Sequence, residues 1–531
     1  MRAAWYALQA IVLLSSPVQA SGHPAYRYLP GDPEWPTDTD WRLLNQTVGG
    51  RLIRGVPLSQ LEGCINSRDS AACASLADEW HSVDPFVDDP VNVMSPYWLN
   101  NSCSPFSGSG STCRLGNLAS YAIDIADADA AVAGIRFAQQ RNIRLIIKNT
   151  GHDYLGRSAG AGSLALANYT GPAVKVGAGV QVAELFRAAQ RRGLRVVGGS
   201  CPTVGVAGGW LSGGGHGALS SAYGLGADQA LEYEVVTATG QHLIASPRSH
   251  ASLYWALSGG GPGNYAVILS VTIKAHRDGP VAGLSLTFTN TNPDTYWRAI
   301  VAWIRHLVDM DASHPTLNTA TTFTELQSLN VTTRSLESRV SPTFYDHYQH
   351  FTTSPLVNAT NLTVGGRLIP RSLAQSPTRL ATLIETVQSI TDSDPTAVFV
   401  IVSNNLTHEN AGNNPGSNAV HPAWRESLFL LTFGLPLQPQ APWDVLQSHQ
   451  AEVNRWIDIF RSQTPGGGSY MNEATFDNSQ WKQDYYGANY ERLATIKAQY
   501  DPDYLLFANA AVASDVMWQI AADGSGRLYR R

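Results

Sequence analysis

The chain has 531 residues, of which 44% are hydrophobic and 15% charged, with a formal net charge of -6. That balance excludes a disordered chain and leaves room for several folded domains. The Lys and Arg residues form no run or stripe, so nucleic acid is not an expected partner.

Arg2, the mostly apolar run Ala3 to Leu14 and the small residues Val18-Gln19-Ala20 read as a secretory leader over residues 1–20, cleaved after Ala20. The run is too short to span a bilayer, and no later segment is apolar enough for a membrane span. Export is therefore expected. Sequons at Asn45, Asn100, Asn168, Asn330, Asn358, Asn361 and Asn405 fit a glycoprotein.

Residues 21–114 are rich in Pro, Gly, Ser and Trp and read as an extended lead-in. They hold Cys64, Cys73, Cys103 and Cys113, four of the five cysteines. Four thiols can pair in three ways. Short loops favour Cys64 with Cys73 and Cys103 with Cys113. Cys201 is left over, and a free thiol in an oxidising compartment calls for an occupant.

Strand and helix patterns alternate from residue 115. Asp127 and Asp129 can cap a helix carrying Val132, Ile135 and Ala138 on one face. Arg144 to Lys148 reads as a buried strand, and the run Asn149 to Gly162 as turns. Ala173 to Val176 is expected to be a strand. A helix with Val182, Leu185 and Ala189 follows, closed by Gly193. Leu194 to Val197 is another strand. Glu232 to Thr239 and His242 to Ala245 form an expected hairpin about Gly240. Tyr265 to Lys274 is a further strand. Composition changes near Gly279-Pro280. The expected division is 115–279, an inserted unit over 280–465, and a segment over 466–531 that returns to the first.

Two glycine-rich stretches stand out. One runs from Lys148 through Gly151-His152-Asp153-Tyr154-Leu155-Gly156-Arg157-Ser158. The other runs from Cys201-Pro202-Thr203-Val204-Gly205 to Gly213-Gly214-Gly215-His216-Gly217. Such loops present backbone N–H groups to anions. Neither fits the phosphate loop GxxxxGK[ST] or the dinucleotide pattern GxGxxG.

These stretches resemble the vanillyl-alcohol-oxidase-type flavoproteins, in their berberine-bridge-enzyme-like branch. Tyr254 to Val267 resembles a third glycine segment of that family, and Tyr486 to Leu493 followed by Tyr500-Asp501-Pro502 resembles its closing motif. The resemblance is strong over residues 115–275, clear over the last sixty or so, and loose between.

The resemblance implies an α+β fold. A two-part PCMH-type FAD-binding domain would carry an inserted α/β cap that binds substrate. It implies FAD joined covalently to His152 and Cys201, chemistry that suits a nucleophilic ring nitrogen and thiolate. Gly151, Asp153, Tyr154, Leu155, Gly156, Arg157 and Ser158 would hold the pyrophosphate. Gly205, Gly208, Gly213 and Gly214 would line the flavin, with Tyr265, Val267 and Asn489 in contact. Val204 stands where the family gates oxygen, and a small residue there implies an oxidase that forms hydrogen peroxide. His216 is a possible site residue, with a structural role favoured.

The relatives' Tyr-x-Asn-Tyr motif is Tyr470-Met471-Asn472-Glu473 here. Glu473 is therefore the first candidate base and Tyr470 the second, with burial expected to raise the carboxyl pKa toward neutrality. A surface ion pair is the bland alternative for Glu473. Trp424-Arg425 fits either the substrate cleft or packing. The substrate is an unnamed small molecule or oligosaccharide. A dehydrogenase, an oxidative cyclase and a flavin-binding glycoprotein without turnover fit the same motifs.

Overall fold

The computed structural model describes residues 25–61, 64, 71–80, 82–87, 89–94, 98, 103–106, 113–159, 161, 163–168, 175–287, 293–324, 335–351, 362–437, 441–521 and 526–531. The expected leader and the sequon residues Asn100, Asn330, Asn358 and Asn361 lie outside them. For Asn168 the backbone alone is described.

The first sheet is built on one helical crossover. Asp127 accepts from Ala130 N at 2.9 Å and so starts the helix Ala128–Gln140. Ala131, Ile135 and Ala138 are buried along that helix at helical spacing. It joins the strands Tyr121–Ile125 and Arg144–Ile147, which lie parallel on either side of Ser163–Asn168. That middle strand was not expected from the pattern, because it follows directly on a turn-rich run.

The lead-in differs from the extended segment expected. It forms the helices Asp38–Thr47 and Ala71–Glu79, and its strand Leu52–Arg54 pairs antiparallel with Tyr121–Ile125. Trp41, Leu44 and Val48 enter the core under this sheet. Their spacing is helical, but the surrounding Pro and Gly hide it. Disulfides join Cys64 to Cys73 and Cys103 to Cys113.

The second sheet is antiparallel, in the order Lys175–Gly177, Ala266–Ile273, Ala230–Thr237, His242–Ala245. The last pair is the expected hairpin, with Gly240 at φ +76°. Val182–Gln190 is the expected amphipathic helix. Leu194–Arg195 is only a two-residue strand, paired with His276–Arg277. These two sheets and their helices form the body of the molecule.

The inserted cap is a four-stranded antiparallel sheet, ordered Thr319–Thr324, Val398–Ser403, Ser427–Pro436, Leu362–Pro370. Alternation along each strand sorts its faces. Phe399, Ile401, Leu431 and Phe433 pack with the helices Pro293–Ser313, Pro377–Ser393 and Trp443–Gln463. The opposite face presents Val364, Gly366, Val400, Val402 and Thr432, and with Leu368 and Leu430 it borders the body at Leu225 and Ala227.

The chain then returns to the body. Tyr485, Tyr486, Leu493 and Ile496 enter its core, and Leu506 bridges to Leu145. Asp228 ties cap to body. It accepts from both terminal guanidinium nitrogens of Arg425 at 2.8 and 3.0 Å, and from Asn413 and Asn418. Arg425 thus packs, as one of its two sequence readings had it. Among the described residues, no helix is long and apolar enough to cross a membrane.

Candidate functional site

His152 follows the strand Arg144–Ile147, and Cys201 lies in the loop after Leu194–Arg195. The fold brings His152 Nε2 to 4.0 Å from Cys201 Sγ, with Thr203 Oγ1 to one side of the pair, 2.7 Å from the ring nitrogen and 3.7 Å from the sulfur. Burial, aided by the charge of Lys148, pushes the His152 pKa down to about 4. The imidazole is therefore neutral at ordinary pH, so one ring nitrogen carries a lone pair. Cys201 is free, and partly exposed.

The turn after His152 is fixed locally. Arg157 pairs with Asp153, both through its backbone N–H and through its guanidinium, whose Nε lies 2.6 Å from Asp153 Oδ1. Gly156 sits at φ +75°, and a Cβ there would lie 2.4 Å from the Trp98 ring. Only glycine allows both the conformation and that approach. Trp98 Nε1 donates to Tyr154 O at 2.9 Å.

Tyr470, Asn472 and Glu473 come back from the far end of the chain to meet this loop. Asn472 Nδ2 donates to Gly209 O at 3.1 Å and to the Tyr470 hydroxyl at 3.0 Å, while its Oδ1 accepts from Arg157 at 3.4 Å. Gly213 is where the Asn472 amide rests; a Cβ would sit 2.3 Å from it.

Glu473 Oε1 lies 2.9 Å from His216 Nε2, and Oε2 accepts from Thr432 Oγ1 at 3.1 Å. Burial pushes the Glu473 pKa up, but His216 and Thr432 together outweigh it and leave the carboxyl below its ordinary value. The expected rise toward neutrality is thus corrected. The carboxylate has a basic partner and a hydroxyl donor, so it stays ionised at neutral pH. Tyr470 is buried, and desolvation and the Glu473 charge raise its pKa, so its hydroxyl stays protonated.

The residues fit a flavin. A nucleophilic nitrogen and a free thiol stand side by side. A Cβ built at Gly208 or Gly214 would meet nothing nearer than 3.5 Å, so protein atoms do not claim the space over that backbone.

A model of the FAD binding domain family matches residues 119–246, and one of the berberine and berberine-like family matches residues 469–512. The chain is 38% identical to the bifunctional decalin synthase calF of Penicillium decumbens, over 95% of each chain. It is 36% identical to the VAO-type flavoprotein oxidase VAO615 of Thermothelomyces thermophilus, over 96% of each. The crystal structure of the VAO-type flavoprotein MtVAO615 from Myceliophthora thermophila C1 matches with a TM-score of 0.86 at 35% identity, covering 95% of this chain and 100% of that one. The chain belongs to the berberine-like, VAO-type FAD-linked oxidoreductases.

In this FAD-linked oxidoreductase some sequence candidates stand outside the cluster just described. Tyr265 is buried, with its hydroxyl on Gly260 O, and Val267 packs in the core under the first sheet. Asn489 donates to Ala419 O and Val420 O. Leu155 and Ser158 are buried in the loop, and Val204 is partly exposed beside Cys201. Trp424 packs edge-on to Tyr470, 5.4 Å between centroids. Two residues gain a place that sequence reasoning did not give them. Thr203 stands in the quoted Cys-Pro-Thr motif, which was the available signal. Thr432 comes from the cap, 41 residues from Glu473, and nothing local marks it.

Proposed function

We propose that this chain is a secreted, glycosylated oxidase that holds FAD covalently through His152 and Cys201. The observation that carries the reading is the His152 ring nitrogen 4.0 Å from the free thiol, beside a glycine-lined backbone. Bound there, FAD would accept hydride from substrate and return the electrons to molecular oxygen as hydrogen peroxide. The chain's own residues supply the rest. Asp153 and Arg157 fix the loop from Gly151 to Ser158 that would hold the pyrophosphate. Glu473, ionised, takes the substrate's proton, and Tyr470, held by Asn472, stays a protonated hydroxyl beside it. The small Val204 supports access for oxygen, as does the name oxidase borne by a 36% identical relative.

The aliphatic face of the cap near Thr432, with Val364, Val400 and Val402, supports a hydrocarbon-rich substrate over an oligosaccharide. With a decalin synthase at 38% identity, it also supports oxidative cyclisation as a second reading. Among the expected glycan sites, Asn405 is engaged by the fold: its Nδ2 donates to Asp311 O at 3.1 Å. Asn45 remains partly exposed.

Acid precipitation of the purified protein tests the attachment. The pellet should be yellow in the parent and in the His152→Ala and Cys201→Ser single variants, and bare in the double variant. A bare parent pellet would end the covalent reading. Flavin bleaching and peroxide release under air, against a panel of cellobiose, vanillyl alcohol and polycyclic phenols, separate an oxidase from a dehydrogenase. A ring-closed product would mark the cyclase.

A further inference from the structure

The buried His421 and the partly buried His216 differ in how they are bound. His421 has both ring nitrogens engaged, Nε2 by Gln483 O at 3.0 Å and Nδ1 by Ala423 N at 3.0 Å. That is a histidine satisfied by the backbone around it. His216 is held otherwise. Its Nε2 meets Glu473, and its Nδ1 is buried with no hydrogen-bond partner among the described residues. The ring is boxed by Tyr470, 5.0 Å away and edge-on, and by Trp424 at 5.9 Å. The ring's one polar engagement among the described residues is the carboxylate.

The two side chains are not equally open. Glu473 keeps 30% of its side chain accessible, and His216 only 11%. The carboxylate thus stands in front and the imidazole behind it. The second carboxylate oxygen is taken by Thr432, which belongs to the cap, whereas His216 belongs to the glycine-rich run of the body. Glu473 is therefore gripped from both units, and the cap strand runs close enough that a Cβ at Gly366 would lie 3.0 Å from Glu473 O.

We infer that His216 is the positioning residue for Glu473, holding the carboxylate from behind while Thr432 orients it from the cap. This rests on the reading of Glu473 as the proton acceptor. A carboxylate clamped at both oxygens keeps one geometry, which a base needs before its substrate arrives. The groups that act on Glu473 from the surrounding elements are few. Tyr154 and Tyr470 are protonated phenols, and Arg157, which reaches Tyr470, is paired with Asp153. Cys201 acts on Tyr154. His216 alone among these donates to the carboxylate through a ring that can carry charge, and with Thr432 it offsets the cost of burial.

The clamp itself is tested without substrate. In the intact holoprotein, infrared difference spectra between acid and neutral pH report the Glu473 carboxyl band, assigned by its absence in Glu473→Gln. In the parent the band should titrate below the ordinary value of 4.5. In His216→Leu the midpoint should rise by about one pH unit or more, because desolvation is no longer offset. In His216→Gln, which keeps a donor without charge, it should rise by less. A midpoint unmoved in His216→Leu overturns the inference. If that variant fails to fold, an unmoved midpoint in His216→Gln does the same. Unchanged substrate-driven bleaching in Glu473→Gln would instead remove Glu473 as the base, and the infrared shift would then show a clamp on a carboxylate with another task.

Discussion

His152 and His421 are both held neutral, but the consequences for stability are readable only at His421, which has no covalent partner in the proposal. Burial lowers its pKa from 6.5 to about 4. The unfolded chain takes up this proton near pH 6.5, and the folded chain only near 4. The stabilising contribution is therefore complete above pH 6.5 and is lost as pH falls to about 4. The window is worth on the order of 3 kcal/mol. Thermal unfolding of His421→Gln should show a weaker fall in stability between pH 6.5 and 4 than the parent does. Parallel curves would refute the assignment. At this scale the motif residues were legible: His152, Cys201 and Glu473 sit in short local patterns. Glu473's proton affinity was not, because it depends on His216 and Thr432, residues remote in sequence.

Among elements, the junction between cap and body turns on a four-residue helix, Gly226–Gln229, and the short helix Ala423–Glu426. Asp228 and Arg425 on these elements are both buried. Removing one partner leaves the other charge uncompensated. Asp228→Ala should therefore cost about 3–5 kcal/mol in urea unfolding. A loss below about 1 kcal/mol, the range of exposed pairs, would show that solvent reaches the pair. Helices with clear apolar spacing, such as Val182–Gln190, were legible in advance. The strand Ser163–Asn168 and the helix Asp38–Thr47 were not, since one adjoins a turn-rich run and the other lies in Pro-rich and Gly-rich surroundings.

For the whole molecule, the lead-in is part of the body's architecture. Its strand Leu52–Arg54 forms the edge of the first sheet, and Lys148 Nζ donates to Phe86 O and Asp89 O within it. The Cys64–Cys73 bridge closes a loop nine residues apart in sequence. Loop-closure entropy for so short a loop gives about 2–3 kcal/mol. The double variant Cys64→Ser/Cys73→Ser should lose that much in equilibrium unfolding, with flavin content retained. Loss of flavin together with stability would show that the bridge, and not only Trp98, holds the loop after His152 in place.

The local order of residues determined the family motifs, the two tethering candidates, the spare fifth cysteine and most of the strand and helix alternation. These depend on backbone conformation and on neighbours a few positions away, which the chain's own pattern dictates. Tertiary structure alone decided that Thr432 and His216 grip one carboxylate from opposite units, that Arg425 is locked onto Asp228, and that Glu473 is ionised. Each of these is an energy of desolvation set against a partner, and the partner becomes a neighbour only after the chain has folded.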